Sequence, residues 1–188
     1  MPKTLALLTK TVLDDQPDDL IDITETRLLE VGNQLVSGKI NLSEWQVQTA
    51  SILKRAHVAN LINARGSRVD VTQIDLGRVG AIIAGQYKYL NRFAISVEDD
   101  LDNSKVLGNA FLNRLSLYAY ALRGSFSEIE KSIRAEQGYT EEAWVTSASE
   151  SCSGCIEQER LGWQPIDVLP AIGSQLCQVN CRCEKIYR

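Results

Sequence analysis

The stretch CSGCIEQERLGWQPIDVLPAIGSQLCQVNCRCEKIYR (residues 152–188) carries every cysteine of the chain: Cys152, Cys155, Cys177, Cys181 and Cys183. The 151 residues before it carry none. Helical periodicity stops ahead of it, and Gly154, Gly162, Pro165, Pro170 and Gly173 mark a run of turns. The thiols are spaced Cys-x2-Cys, then 21 residues, then Cys-x3-Cys-x-Cys. Two short thiolate knuckles separated by a turn-rich segment can close a tetrahedral zinc site. A tail with few large apolar residues gains from coupling its fold to a metal. The spacing therefore predicts a structural Zn2+ centre. Cys152 and Cys155 are the firmest ligands, Cys177 with Cys181 the tidiest second knuckle, and Cys183 a competitor for Cys181 or Cys177. The competing readings are a disulfide formed outside the cytosol and buried thiols without metal. A thioredoxin-like pair is disfavoured, because this Cys-x-x-Cys does not open a helix in an alternating strand–helix context.

On either side of the first knuckle the pattern is extended. EEAWVTSAS (141–149) alternates weakly and reads as a short strand. RCEKIYR (182–188) reads as a closing strand, with Cys181, Cys183 and Lys185 on one side and Arg182, Glu184 and Ile186 on the other.

Upstream of residue 140 the chain reads as helices. The first spans 17–37, with Pro17 at its start, Asp18, Asp19 and Asp22 in its first turns, an apolar stripe of Leu20, Leu28, Val31 and Leu35, and Gly38 as its stop. The second begins at NLSEWQ (41–46), where Ser43 and Gln46 have capping-box spacing, and continues to about Arg65. Its apolar face is Trp45, Ile52, Ala56 and Ala59, flanked by Leu53. The third, from Val71 or Asp75 to Val97, repeats Val79, Ile83, Leu90, Phe93 and Val97. Its Gly77, Gly80 and Gly85 are expected to permit close helix–helix approach. EDDLDNS (98–104) reads as a turn with Asn103 or Ser104 as a cap. The fourth carries Leu107, Phe111, Leu115, Tyr118 and Leu122, with a break expected near Gly124 and a continuation through Phe126, Ile129 and Ile133. The expected fold is mainly α: a bundle of four to five helices over residues 1–140, with a small zinc-stabilised β/loop module over residues 141–188.

Composition bounds the function. Apolar residues at 44% and charged residues at 23% are the balance of a globular protein that can bury its own core. Net charge is −4, and the tail from Glu141 onward has seven acids against four bases, so specific nucleic-acid binding is not expected. No apolar run approaches the roughly 18 residues of a membrane span. The start, MPKTLALLTK (1–10), is too short in its apolar stretch for a signal-peptide core, so synthesis in a reducing cytosol is expected. Residues 11–30 hold seven acids and one base, and residues 51–92 hold seven bases and two acids. These are either complementary faces within the bundle or docking surfaces, with Asp14, Asp15, Asp18 and Asp19 on one and Lys54, Arg55, Arg65 and Arg68 on the other. Arg65 and Arg68, in the break NARGSRVD (63–70), are expected to be exposed. Catalysis is not expected. The single histidine, His57, reads as a partly buried or surface helix residue, and Glu150, Glu157 and Glu159 read as solvated carboxylates near the first knuckle.

Trp144 in AWVTSASESCSGC (143–155), the Cys152–Cys155 knuckle, the Gly173 turn and NCRC (180–183) together resemble the C-terminal region of the phage head morphogenesis family, the Mu F-like minor head proteins. SGKINLSEW (37–45) and NRLSLYAYALRGSF (113–126) are similar to its helical part. Family members commonly carry a histidine one residue nearer NCRC; Cys177 stands in that role here. The resemblance implies a non-enzymatic virion protein, made in the host cytoplasm and present in few copies. Its implied partners are the portal or major capsid protein, with self-association as a further mode. The alternatives are a toxin-like zinc-dependent effector enzyme and a cellular zinc-ribbon binding module.

Overall fold

The computed structural model describes residues 17–146 and 151–188. Asp14, Asp15 and Glu150 lie outside the described residues. Four long helices come first: α1 (Pro17–Val36), α2 (Leu42–Arg65), α3 (Gln73–Asp102) and α4 (Asn109–Glu136). The C-terminal part holds β1 (Glu141–Val145), a short helix α5 (Ser153–Arg160), β2 (Gln164–Pro165) and β3 (Glu184–Tyr187). The fold is thus mainly α with a small C-terminal sheet-and-loop module, as the periodicity predicts.

Amphipathic stripes build the bundle. Leu20, Leu28, Val31 and Leu35 of α1 are buried, as are Val79, Ile83, Leu90, Phe93 and Val97 of α3. On α2 the buried apolar residues are Trp45, Leu53, Ala56, Ala59 and Leu61, and Ile52 is only partly covered. Trp45, Phe93 and Phe111 meet with ring centroids 5.5 Å apart and so join α2, α3 and α4 at the centre of the core.

Several local expectations are corrected. The capping box of α2 is Asn41 with Glu44, not Ser43 with Gln46. Glu44 N–H donates to Asn41 Oδ1 and Asn41 N–H donates to Glu44 Oε2, both at 2.9 Å. Ser43 already lies inside the first turn, and Gln46 instead donates to Asn91 Oδ1 on α3 at 2.7 Å. Residues 98–102 continue α3, and Asn103 closes it. Gly108, rather than Asn103 or Ser104, precedes α4.

The glycines of α3 do not support close packing: a Cβ at Gly77, Gly80 or Gly85 would meet nothing within 4 Å. Close approach occurs at Gly32, where an added Cβ would stand 2.5 Å from Leu115 Cδ1, and at Gly124. No break follows Gly124, and α4 runs through it without interruption. The absent side chain leaves room for the main-chain oxygen of Ile172, which would lie 2.9 Å from a Cβ there.

Two polar residues differ from expectation. His57 is fully buried, its Nδ1 3.1 Å from Ser125 Oγ on α4, and burial pushes its pKa down to about 4. Arg65 is not an exposed loop cation. It is 12% exposed and pairs with Asp75 and with Glu136, each at 2.6 Å. Arg68, Lys54 and Arg55 are exposed. Asp18 faces neither group of bases; it pairs with Arg123 of α4 at 2.6 Å.

In the module the strand order is β2-β1-β3, antiparallel throughout, with Ala143 opposite Ile186 and Trp144 opposite Lys185. The expected alternation holds. Cys181, Cys183 and Lys185 are buried, and Arg182, Glu184 and Ile186 are exposed. Lys185 Nζ is 3.0 Å from Glu142 Oε2, and both side chains are fully buried. Leu169 completes this pair: its N–H donates to Glu142 Oε1 at 3.1 Å, and its carbonyl accepts from Lys185 Nζ at 3.2 Å.

Candidate metal centre

The five cysteines come from three pieces of backbone. Cys152 precedes the first residue of α5 in extended geometry, and Cys155 lies in its first turn. Cys177 and Cys181 flank the short 3₁₀ turn Gln178–Asn180, and Cys183 follows just before β3. Gln178 holds a positive φ of 49°, and Gly173 a φ of 87° beside the Gln178 carbonyl. The second knuckle is therefore a tight, glycine-dependent loop.

Folding brings all five together. Cys155 Sγ lies 3.5 Å from Cys152 Sγ, 3.5 Å from Cys177 Sγ and 3.7 Å from Cys181 Sγ. The sulfurs of Cys152, Cys155 and Cys177 lie within 4.8 Å of one another, and those of Cys155, Cys181 and Cys183 form a second such group. Tetrahedral coordination with bonds of about 2.3 Å requires sulfur–sulfur edges of about 3.8 Å. The observed separations match that edge, so the residues fit a thiophilic metal ion. All five are free thiols in this structure.

Main-chain N–H groups prepare two of the sulfurs for charge. The N–H of Cys155, and then that of Cys177, point at Cys152 Sγ and hold its pKa down at about 7. Burial works to raise the Cys181 thiol. The N–H of Cys183, the Cys177 thiol and the N–H of Gly173 outweigh it and hold Cys181 below the usual thiol range. Burial pushes Cys155 well up, and its thiol neighbours add to this. Burial likewise carries Cys177 up to about 12. Without a cation this is a set of sulfurs that cannot all ionise; a metal removes that conflict by replacing the protons.

The cluster borders a groove of about 890 Å³ whose far wall is Asp18, Asp22 and Glu25 of α1 with Tyr120 and Arg123 of α4. Both α4 residues are engaged there. Tyr120 donates to Glu25 Oε1 at 2.8 Å. Arg123 donates through Nη2 to Asp18 Oδ1 at 2.6 Å and through Nη1 to the Cys181 carbonyl at 3.2 Å. Sequence reasoning missed Arg123, because its partners lie 105 and 58 positions away. Of the carboxylates near the first knuckle, the described Glu157 and Glu159 do not join the site. Glu159 accepts from the N–H and hydroxyl of Thr146 at 2.9 and 2.8 Å, and Glu157 is exposed.

No family model, curated protein or solved structure matches this chain.

Proposed function

We propose that this chain is a structural protein of a phage head, a minor head protein that associates with the portal or major capsid protein. A zinc ion held by its C-terminal cysteines fixes the tail to the helical bundle. The setting rests on the resemblance of the Trp144, Cys152–Cys155 and Asn180–Cys183 segments to the head morphogenesis family. The structural role of the metal rests on the Arg123 bridge. One guanidinium joins the Cys181 knuckle to Asp18 at the start of α1, so the geometry of the thiol loop is transmitted to the bundle. A site closed by four thiolates leaves no coordination position for water or substrate and contributes to folding rather than to chemistry. Zinc suits this donor set, being redox-inert and tetrahedral without geometric demands of its own. No helix among the described residues is long and apolar enough to cross a membrane.

The test is metal analysis followed by co-purification. Protein purified under reducing conditions should carry about one zinc per chain and should co-purify with a portal protein from head-assembly intermediates. A folded, metal-free protein would remove the zinc. Absence of the chain from portal-containing particles would remove the head role.

A further inference from the structure

Five thiols surround a position that takes four, and their contacts are not equivalent. Cys155 is the hub of the cluster, 3.5 Å from Cys177 and 3.7 Å from Cys181, the two residues that flank the 3₁₀ turn. The two remaining thiols each lie beside a different pair of these. Cys152 lies 3.5 Å from Cys155 and within 4.8 Å of Cys177. Cys183 lies within 4.8 Å of both Cys155 and Cys181. The two outer positions are also close in space, because Ser151, the neighbour of Cys152, has its Oγ 3.9 Å from Cys183 Sγ.

We infer that Cys155, Cys177 and Cys181 are the fixed ligands of the metal site and that Cys152 and Cys183 are interchangeable fourth ligands. The inference rests on the zinc reading of the site. Cys152 is half-buried and caps the N-terminus of α5, whereas Cys183 is buried and lies just before β3. Exchange is a proton-balanced substitution without oxidation: the Cys183 thiol gives up its proton as its sulfur bonds to the metal, and the departing Cys152 thiolate takes one up. The metal remains four-coordinate on either side of the exchange. Cys152 can then swing away from the groove without loss of the ion, while Cys155 keeps its bond.

Cobalt(II) reports this directly, because its absorption distinguishes four thiolates from three. Titration with Co2+ alone should give about one ion per chain and a four-thiolate spectrum for the wild type, for Cys152→Ser and for Cys183→Ser. The double variant should fall to the three-thiolate spectrum, and Cys155→Ser should lose the intact-site spectrum by itself. A three-thiolate spectrum from either outer single variant overturns the inference while leaving the metal site standing. No cobalt binding by the wild type overturns both. A second measurement avoids variants: iodoacetamide on the zinc-loaded wild-type chain should modify Cys152 with zinc retained. Zinc release in step with Cys152 modification, or labelling confined to Cys183, overturns the inference.

Discussion

Arg65 grips Asp75 with two parallel hydrogen bonds, Nε to Oδ2 at 2.8 Å and Nη2 to Oδ1 at 2.6 Å. The arginine ends α2, and the aspartate is the third residue of α3 and part of its Thr72–Asp75 capping box. Nη2 also reaches Glu136, the last residue of α4. One guanidinium therefore pins three helix ends. Arg65→Ala should destabilise the protein by about 3–5 kcal/mol, because it removes the bidentate partner of an aspartate that is 1% exposed. Arg68→Ala, at an exposed position, should stay within about 0.5 kcal/mol of the wild type. Urea denaturation of the two variants is the measurement.

The same pair sets an acid limit. Burial works to raise the Asp75 carboxyl, but the Arg65 fork and the Thr72 hydrogen bonds hold it at about 2. A folded-state pKa below the unfolded one contributes stability that is full above the unfolded value, near 3.8, and is lost as pH falls through 2. Stability should decline by about 2 kcal/mol across that window, and Asp75→Asn should lack this decline. Chemical denaturation of both proteins at pH 5 and pH 2.5 will show it.

His57 gives a second, higher window. Its folded-state value of about 4 lies below its ordinary 6.5, so the native state favours the neutral ring. Stability is full above 6.5 and falls as pH drops towards 4, by about 3 kcal/mol in all. His57→Gln, which can keep a hydrogen bond to Ser125, should flatten the profile between those values. An unchanged slope in the variant would locate the acid sensitivity elsewhere.

Substitutions of glycine should divide by position. Gly124→Ala sets a Cβ against main-chain oxygen of Ile172 and should cost about 1–3 kcal/mol as the module shifts. Gly80→Ala meets open space on α3 and should gain up to about 1 kcal/mol. Thermal midpoints of the two variants should move in opposite directions.

If the basic face of α2 docks on the head assembly, Lys54 and Arg55 are the residues to reverse, since Arg65 is committed within the bundle. Their double change to Glu should weaken that binding in a salt-sensitive way with little effect on the thermal midpoint. Pull-down on portal-containing particles at low and high salt checks this.

The bundle was legible because burial imposes a period. Val79, Ile83, Leu90, Phe93 and Val97 repeat as a buried helix face must, and Cys181, Cys183 and Lys185 alternate as a strand must. What stayed hidden depends on distance along the chain. Nothing local to Arg65 announces Glu136, 71 positions away, and nothing near Gly124 announces Ile172. The capping box failed for a different reason: two overlapping pairs, Asn41–Glu44 and Ser43–Gln46, have the same spacing, and only the position of the first helical turn separates them. The five thiols could be named but not ranked, because the central role of Cys155 comes from the meeting of two knuckles 26 positions apart.

The buried Glu142–Lys185 pair bears on how the chain chooses among alternative pairings of β1 with β3. Sliding a strand by one position turns each of its side chains to the opposite face. A slipped β3 would expel Lys185 and leave Glu142 as an unpaired buried charge, a heavily penalised state. The same slip would carry Cys181 and Cys183 outward and bring Arg182 and Glu184 in. An ion pair that touches no sulfur thus decides which way the second knuckle faces. Replacing both members with apolar residues of similar volume would preserve much of the stability and remove the discrimination, giving a folded module with a mixture of strand pairings.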